Sequence, residues 1–275
     1  MPYFSLDFPP GLYRNGTERE SKGRWYDGNL VRFFEGRICP AGGWRAHSTS
    51  AVTGKGRRII AWRDNSLTNW CAVGTESHLY VMTQSGVVSD ITPSGFTGGI
   101  ADAIAGGGYG SGKYGAGAYG VPGSDTTQIQ DVTVWSLDTF GQYLVGCTAD
   151  DGKLYEWTLN TGTPAAAVSG APTARAVVVT DERFLFALGA AGVPRRVQWP
   201  DQASLTGWTP STTNQAGSFD LQSVGKLMCG KRVAGGTLLM TDFEAWLASY
   251  IGGVLVYSFR KLAEGCGAVS QNCVA

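Results

Sequence analysis

The sequence predicts an all-β chain: an incomplete β-propeller with roughly four blades present, preceded by an extended N-terminal lead-in. Three observations carry this expectation. A cassette of short strands recurs, its recurrence interval falls near the roughly 40–50 residues of a four-stranded blade, and helix-period stretches are almost absent. One small antiparallel sheet cannot bury its own faces, so repeats on this scale imply neighbours of the same shape.

Residues 1–45 do not fit the repeat and form the lead-in. They are dense in Arg, aromatic residues and Gly, as in Gly23-Arg24-Trp25-Tyr26-Asp27-Gly28-Asn29-Leu30-Val31-Arg32-Phe33-Phe34 and Gly42-Gly43-Trp44-Arg45. Arg and aromatic side chains are the types enriched in interface hot spots. Two readings stay open: a strand that stitches onto the last blade, or an arm that reaches another subunit. Asn15-Gly16-Thr17 reads as an Asn-Gly turn rather than a glycosylation acceptor.

Blades occupy residues 46–275. The first copy of the cassette is Ile59-Ile60-Ala61-Trp62, then Asn69-Trp70-Cys71-Ala72-Val73-Gly74, then Leu79-Tyr80-Val81-Met82. The second is Val132-Thr133-Val134-Trp135, then Tyr143-Leu144-Val145-Gly146-Cys147-Thr148, then Leu154-Tyr155-Glu156-Trp157. A Gly-rich insertion at 93–124, with Tyr109, Tyr114 and Tyr119 among its glycines, separates them and reads as a projecting loop, because such a tract has little to pack and much entropy to lose on ordering.

Looser copies follow. Arg183-Phe184-Leu185-Phe186-Ala187-Leu188 leads to Arg196-Val197-Gln198-Trp199, and Gly236-Thr237-Leu238-Leu239-Met240-Thr241 leads to Glu244-Ala245-Trp246-Leu247. The apolar runs Ala176-Val177-Val178-Val179 and Gly253-Val254-Leu255-Val256-Tyr257 read as further strands. Between Trp199 and Trp208 the flanking prolines Pro200 and Pro210 fit a connection in which Trp packs blade to blade and Pro blocks edge pairing. Residues 265–275 read as a strand starting, which makes the chain the front part of a longer protein.

Composition narrows the functional classes. The 275 residues include 40 glycines and 9 tryptophans and only 16% charged residues, which fits many turns and large aromatic anchors. No apolar run approaches the roughly 20 residues of a membrane span, and the first residues lack the apolar core of a signal peptide, so a soluble chain without that route of secretion is expected. Six cysteines, at 39, 71, 147, 229, 266 and 273, show no metal-type pairing and read as buried free thiols. Net charge is zero, yet residues 1–63 hold eleven Lys or Arg against five Asp or Glu, leaving the remainder equally acidic. That asymmetry fits a solvated basic face, or pairing with an acidic partner or nucleic-acid phosphate.

No catalytic residue, cofactor-binding residue or metal ligand is assigned. Residues 107–113 satisfy G-x-x-x-x-G-K, but Tyr114 stands where magnesium ligation needs a hydroxyl of Ser or Thr, and neither strand nor helix frames the loop. Asp150-Asp151 and Asp181-Glu182 fall where hairpin turns belong, and Asp there satisfies backbone amides. His47 and His78 have no ligand or triad partners at useful spacing.

Several segments together resemble a known group. Gly11-Leu12-Tyr13-Arg14-Asn15-Gly16-Thr17, Arg24-Trp25-Tyr26-Asp27-Gly28-Asn29-Leu30-Val31-Arg32-Phe33, Gly42-Gly43-Trp44, the Tyr-Gly tract at 109–120, Gln198-Trp199 to Trp208-Thr209, Asn214-Gln215-Ala216-Gly217 and Gly265-Cys266-Gly267 are similar to tail proteins of tailed bacteriophages. That group includes the packaged-DNA stabilisation or tail-nozzle proteins of short-tailed phages, built around a β-propeller. The resemblance implies a structural virion protein without enzymatic activity, made in the host cytoplasm and carried in the tail. It also implies a ring, typically a hexamer, below the portal and adaptor, with a lumen that retains and later passes double-stranded DNA without sequence specificity during genome ejection.

The subunit-interface candidates are then Arg24, Trp25, Arg32, Phe33, Trp44, Tyr109, Tyr114 and Tyr119. A reading of another class is a carbohydrate-binding or glycoside-hydrolysing propeller. It would use acids such as Asp151 or Asp242 at a central cleft.

Overall fold

A computed structural model describes residues 8–43, 45–103, 131–253 and 255–274, and the chain divides into two compact units, Met1–His47 and Ser48–Ala275. The described residues are all-β, with no α-helix and five small antiparallel sheets.

In the first unit β1 (Val31–Phe34) and β2 (Arg37–Pro40) form a hairpin with Phe34 opposite Arg37. Its two turn residues, Glu35 and Gly36, both take positive φ, the geometry that matches the right-handed twist of the flanking strands. An isolated bridge joins Leu12 to Trp25. β1 and β2 pair with each other in a two-stranded sheet.

The second unit holds four four-stranded meanders in chain order. The first comprises β3 (Arg58–Arg63), β4 (Asn69–Gly74), β5 (Leu79–Thr83) and β6 (Val88–Asp90). The second has β7 (Trp135–Phe140), β8 (Tyr143–Thr148), β9 (Leu154–Trp157) and β10 (Ala166–Ala167). The third has β11 (Ala176–Val179), β12 (Leu185–Leu188), β13 (Arg196–Trp199) and β14 (Gly217–Asp220). The fourth has β15 (Leu227–Val233), β16 (Gly236–Thr241), β17 (Glu244–Gly252) and β18 (Val256–Glu264). The cassette segments of the first copy are the first three strands of its sheet, and those of the two looser copies are the second and third strands of theirs.

First strands lie side by side in series, β3 beside β7, β7 beside β11 and β11 beside β15. Three apolar cores fill the spaces between successive sheets. Trp70, Leu79 and Val81 meet Trp135, Tyr155 and Trp157 between the first and second. Phe140, Val145 and Leu154 meet Val177, Val179 and Trp208 between the second and third. Phe186, Leu188 and Trp199 meet Leu227, Trp246 and Tyr257 between the third and fourth. Among the described residues no such core joins the fourth sheet to the first. β11 feeds two of these cores, Val178 one way and Val177 and Val179 the other, which is why it is a continuous apolar run rather than an alternating strand.

Close approach between sheets depends on glycine. The Trp135 ring lies over Gly74 where any Cβ would collide, and its Nε1–H donates to the Thr75 carbonyl at 2.8 Å. A Cβ on Gly230 would come within 2.7 Å of Val178 Cγ1.

Four expectations are corrected. The first strand of the second sheet begins at Trp135, where residues 132–135 had placed its end. Polar Ser136, Asp138 and Thr139 hide this strand in the sequence, yet they have partners. Val177 N–H donates to Ser136 Oγ at 3.0 Å, and Val179 N–H donates to Asp138 Oδ2 at 2.7 Å, so these side chains cap the otherwise open edge of β11. Of the described residues in the run from 253 to 257, only Val256 and Tyr257 are strand, opening β18, while Gly253 and Leu255 lie in the turn from β17, where the positive φ of Gly252, Gly253 and Val256 reverses the chain. Residues 265–274 are irregular, not a starting strand, and Cys266 and Ala268 bond instead to the backbone at the β16–β17 turn. Cys147 and Cys229 are buried thiols as expected, but Cys266 and Cys273 are exposed.

Candidate functional site

Two places in the described residues could carry function, one in each unit. In the first unit no apolar side chain is fully buried; Ser21 is the single buried residue among those described. Leu30 is 76% exposed and Phe34 58%. Leu12 and Ile38 are also exposed. Local contacts hold the chain instead. Tyr13 N–H donates to the Trp25 carbonyl at 2.7 Å, and Phe8 meets the Trp25 ring edge-on at 5.4 Å. Arg24 lies 5.1 Å over the Tyr13 ring and Arg32 lies 5.8 Å over Phe34. Arg14 pairs with Asp27, and its hydrogen bond holds the Asp27 carboxyl below the usual carboxylate range.

Exposed contacts of this kind are each worth about 1 kcal/mol or less. Fixing the backbone costs about 1–2 kcal/mol for every residue ordered. Among its described residues the segment has no buried apolar core to offset that cost.

The predicted interface residues are placed as follows. Arg24 and Arg32 are exposed, and Trp25 and Phe33 are half-buried. Trp44, Tyr109, Tyr114 and Tyr119 lie outside the described residues. Leu30 and Phe34 were missed, although the sequence carries a signal for Phe34: in β1 the i, i+2 alternation puts Val31 and Phe33 on one face and Arg32 and Phe34 on the other.

In the second unit a cavity of about 480 Å³ opens among the first strands of all four sheets. Arg58, Asp138, Lys231 and Arg232 line it with Cys229 and Asn272. Arg232 pairs with Asp138 at 3.4 Å. Cations outnumber acids here, and Asp138 is already engaged by Val179 N–H.

The carboxylates considered for acid–base work are spread among separate turns and tied to local partners. Asp150 accepts from Thr133 Oγ1, and Asp151 accepts from the Tyr155 hydroxyl. Asp242 Oδ1 accepts from Lys226 N–H at 2.9 Å. Buried Glu244 accepts from Trp246 Nε1 at 3.0 Å and from Lys261 Nζ at 2.9 Å. Hydrogen bonds from Ser223, then Lys261 and Trp246, keep its carboxyl below the usual range, a pattern that maintains charge rather than poising a proton for transfer. Among the described residues no group of three or more His, Cys, Asp or Glu could hold a metal ion. Nor is any helix among them long and apolar enough to cross a membrane.

No protein-family model matches the chain, and no curated protein matches it.

Proposed function

We propose that this chain is a structural component of a bacteriophage tail, a propeller-type protein that assembles into a ring of its own copies around the DNA path. The observation that carries the reading is the first unit: an aromatic and Arg-rich segment with no apolar core of its own among the described residues. Such a segment is suited to being an arm that gains its core from another subunit.

Charge adds support. The basic first 63 residues and the equally acidic remainder make copies of one chain attractive to each other in a head-to-tail sense, the heterologous contact from which rings are built. The four serial meanders, joined by their first strands, fit propeller blades, with the absence of a core between the fourth and first sheets among the described residues marking where closure would be completed. Portal, adaptor or other tail proteins are the proposed neighbours.

The test is the assembly state of purified protein by sedimentation, for wild type and for Leu30→Ser/Phe34→Ser and Arg24→Glu/Arg32→Glu. The wild type is expected as a defined oligomer, and both double variants are expected to dissociate with unchanged melting. A wild type that stays monomeric at micromolar concentration, or variants that lose thermal stability in step with assembly, would remove the arm reading.

A further inference from the structure

We propose that Cys229 and Cys273 form a redox latch that fixes residues 266–274 across the cavity between the first strands. The two halves of this segment are held differently. Its near half is seated firmly: Cys266 N–H donates to the Phe243 carbonyl at 3.3 Å, Ala268 N–H to the Thr241 carbonyl at 2.7 Å, and Ala268 is buried. Gly267 sits against the backbone of Asp242 and Phe243, where a Cβ has no room.

The far half is held lightly. Val269 is 94% exposed. Gln271 Nε2 donates to the Arg175 carbonyl at 2.6 Å, which ties the segment to the third sheet, and Cys273 N–H makes only a long bond of 3.4 Å to Ser270. Asn272 and Val274 line the cavity together with Cys229 of β15, and the Nδ2 of Asn272 is buried without a hydrogen-bond partner. The Cys273 thiol is a close neighbour of the Cys229 sulfur, and both are free. One thiol is thus on a buried strand and the other on an accessible, weakly held segment: the pairing of a resolving and an attacking cysteine.

The oxidant is a small-molecule disulfide such as oxidised glutathione. The Cys273 thiolate attacks one of its sulfurs, forming a mixed disulfide and releasing one glutathione thiolate. The Cys229 thiolate then attacks the Cys273 sulfur, forming the protein disulfide and releasing the second glutathione. Two protein thiols are oxidised, one disulfide is reduced to two thiols, and the two thiol protons pass to solvent and to the leaving thiolates. Burial pushes the Cys229 thiol up to about 12, so the second step is the slower one and quickens with pH. In a reducing cytoplasm the latch is open, and in an oxidising medium it closes.

The experiment treats full-length protein with oxidised glutathione, maps disulfides by mass spectrometry and follows amide exchange across residues 266–274. The expected product links Cys229 to Cys273, is retained in Cys266→Ser, is lost in Cys273→Ser, and slows exchange in the segment by tenfold or more. Reduction restores the original rate. A stable glutathione adduct on Cys273, a bond from Cys273 to Cys266 or Cys39, or a Cys229–Cys273 bond that leaves exchange unchanged would each overturn the latch.

Discussion

Replacing Trp135 with alanine should remove the centre of the core between the first and second sheets. Trp135 is fully buried, packs on Phe96 at 5.1 Å, and closes over Gly74 of the neighbouring sheet. A buried Trp removes about 150–250 Å² from water, worth about 4–6 kcal/mol at 25 cal/mol per Å². Measured truncations of this kind fall at about 3–5 kcal/mol, and the Thr75 carbonyl would also lose its partner, for about 1 kcal/mol more. The expected loss is therefore about 4–6 kcal/mol, read as a lower urea midpoint by circular dichroism. Trp135→Phe, which keeps a ring but not the donor, should cost about 1–2 kcal/mol, and exposed Val224→Ala should stay within about 0.5 kcal/mol. Gly74→Ala should be damaging alone and less so beside Trp135→Ala, which removes the ring atoms that crowd the site but keeps the Cβ of residue 135, 2.8 Å from the new methyl. A Trp135→Ala protein within about 1 kcal/mol of wild type would refute the inter-sheet core as described.

Two further outcomes follow from polar side chains. Asp138→Ala strips the acceptor from Val179 N–H and should cost about 1–3 kcal/mol, whereas Asp138→Asn, which retains a carbonyl oxygen, should cost less; equal losses would discount the edge-capping role. The depressed carboxyl of Glu244 contributes stability that is present above its unfolded value of about 4.3 and disappears as pH falls through its folded value. Unfolding midpoints of wild type should therefore drop below about pH 4.3 more steeply than those of Glu244→Gln, and parallel acid limbs would contradict that assignment.

Sequence pattern located the second and third strands of every sheet closely. β13 and β16 match the segments Arg196 to Trp199 and Gly236 to Thr241 residue for residue. These strands lie inside the sheets, so both local pairing and burial select their side chains. Of the first strands, β3 and β11 were also legible, whereas β7 and the reversal after β17 were not. β7 was displaced because Ser136 and Asp138 serve the backbone of the next sheet, a long-range contact with no local signature. The β17–β18 turn was missed because Leu255 and Val256 are apolar, and nothing in Val256 announces its positive φ.

The site was less legible than the fold. Arg24 and Arg32 could be chosen from composition, but the lack of a buried apolar side chain among the described residues around them is a property of three-dimensional packing. The cavity is equally hidden, since Arg58, Asp138, Arg232 and Asn272 come from four separate stretches of chain and meet only when the sheets stand side by side.

The central claim is that copies of this chain assemble through the first unit into a ring. Electron microscopy of purified full-length protein tests it most directly. Closed rings with a central lumen, lost in Leu30→Ser/Phe34→Ser, are the predicted result; dispersed single subunits at micromolar concentration, or rings unaffected by that variant, would contradict it.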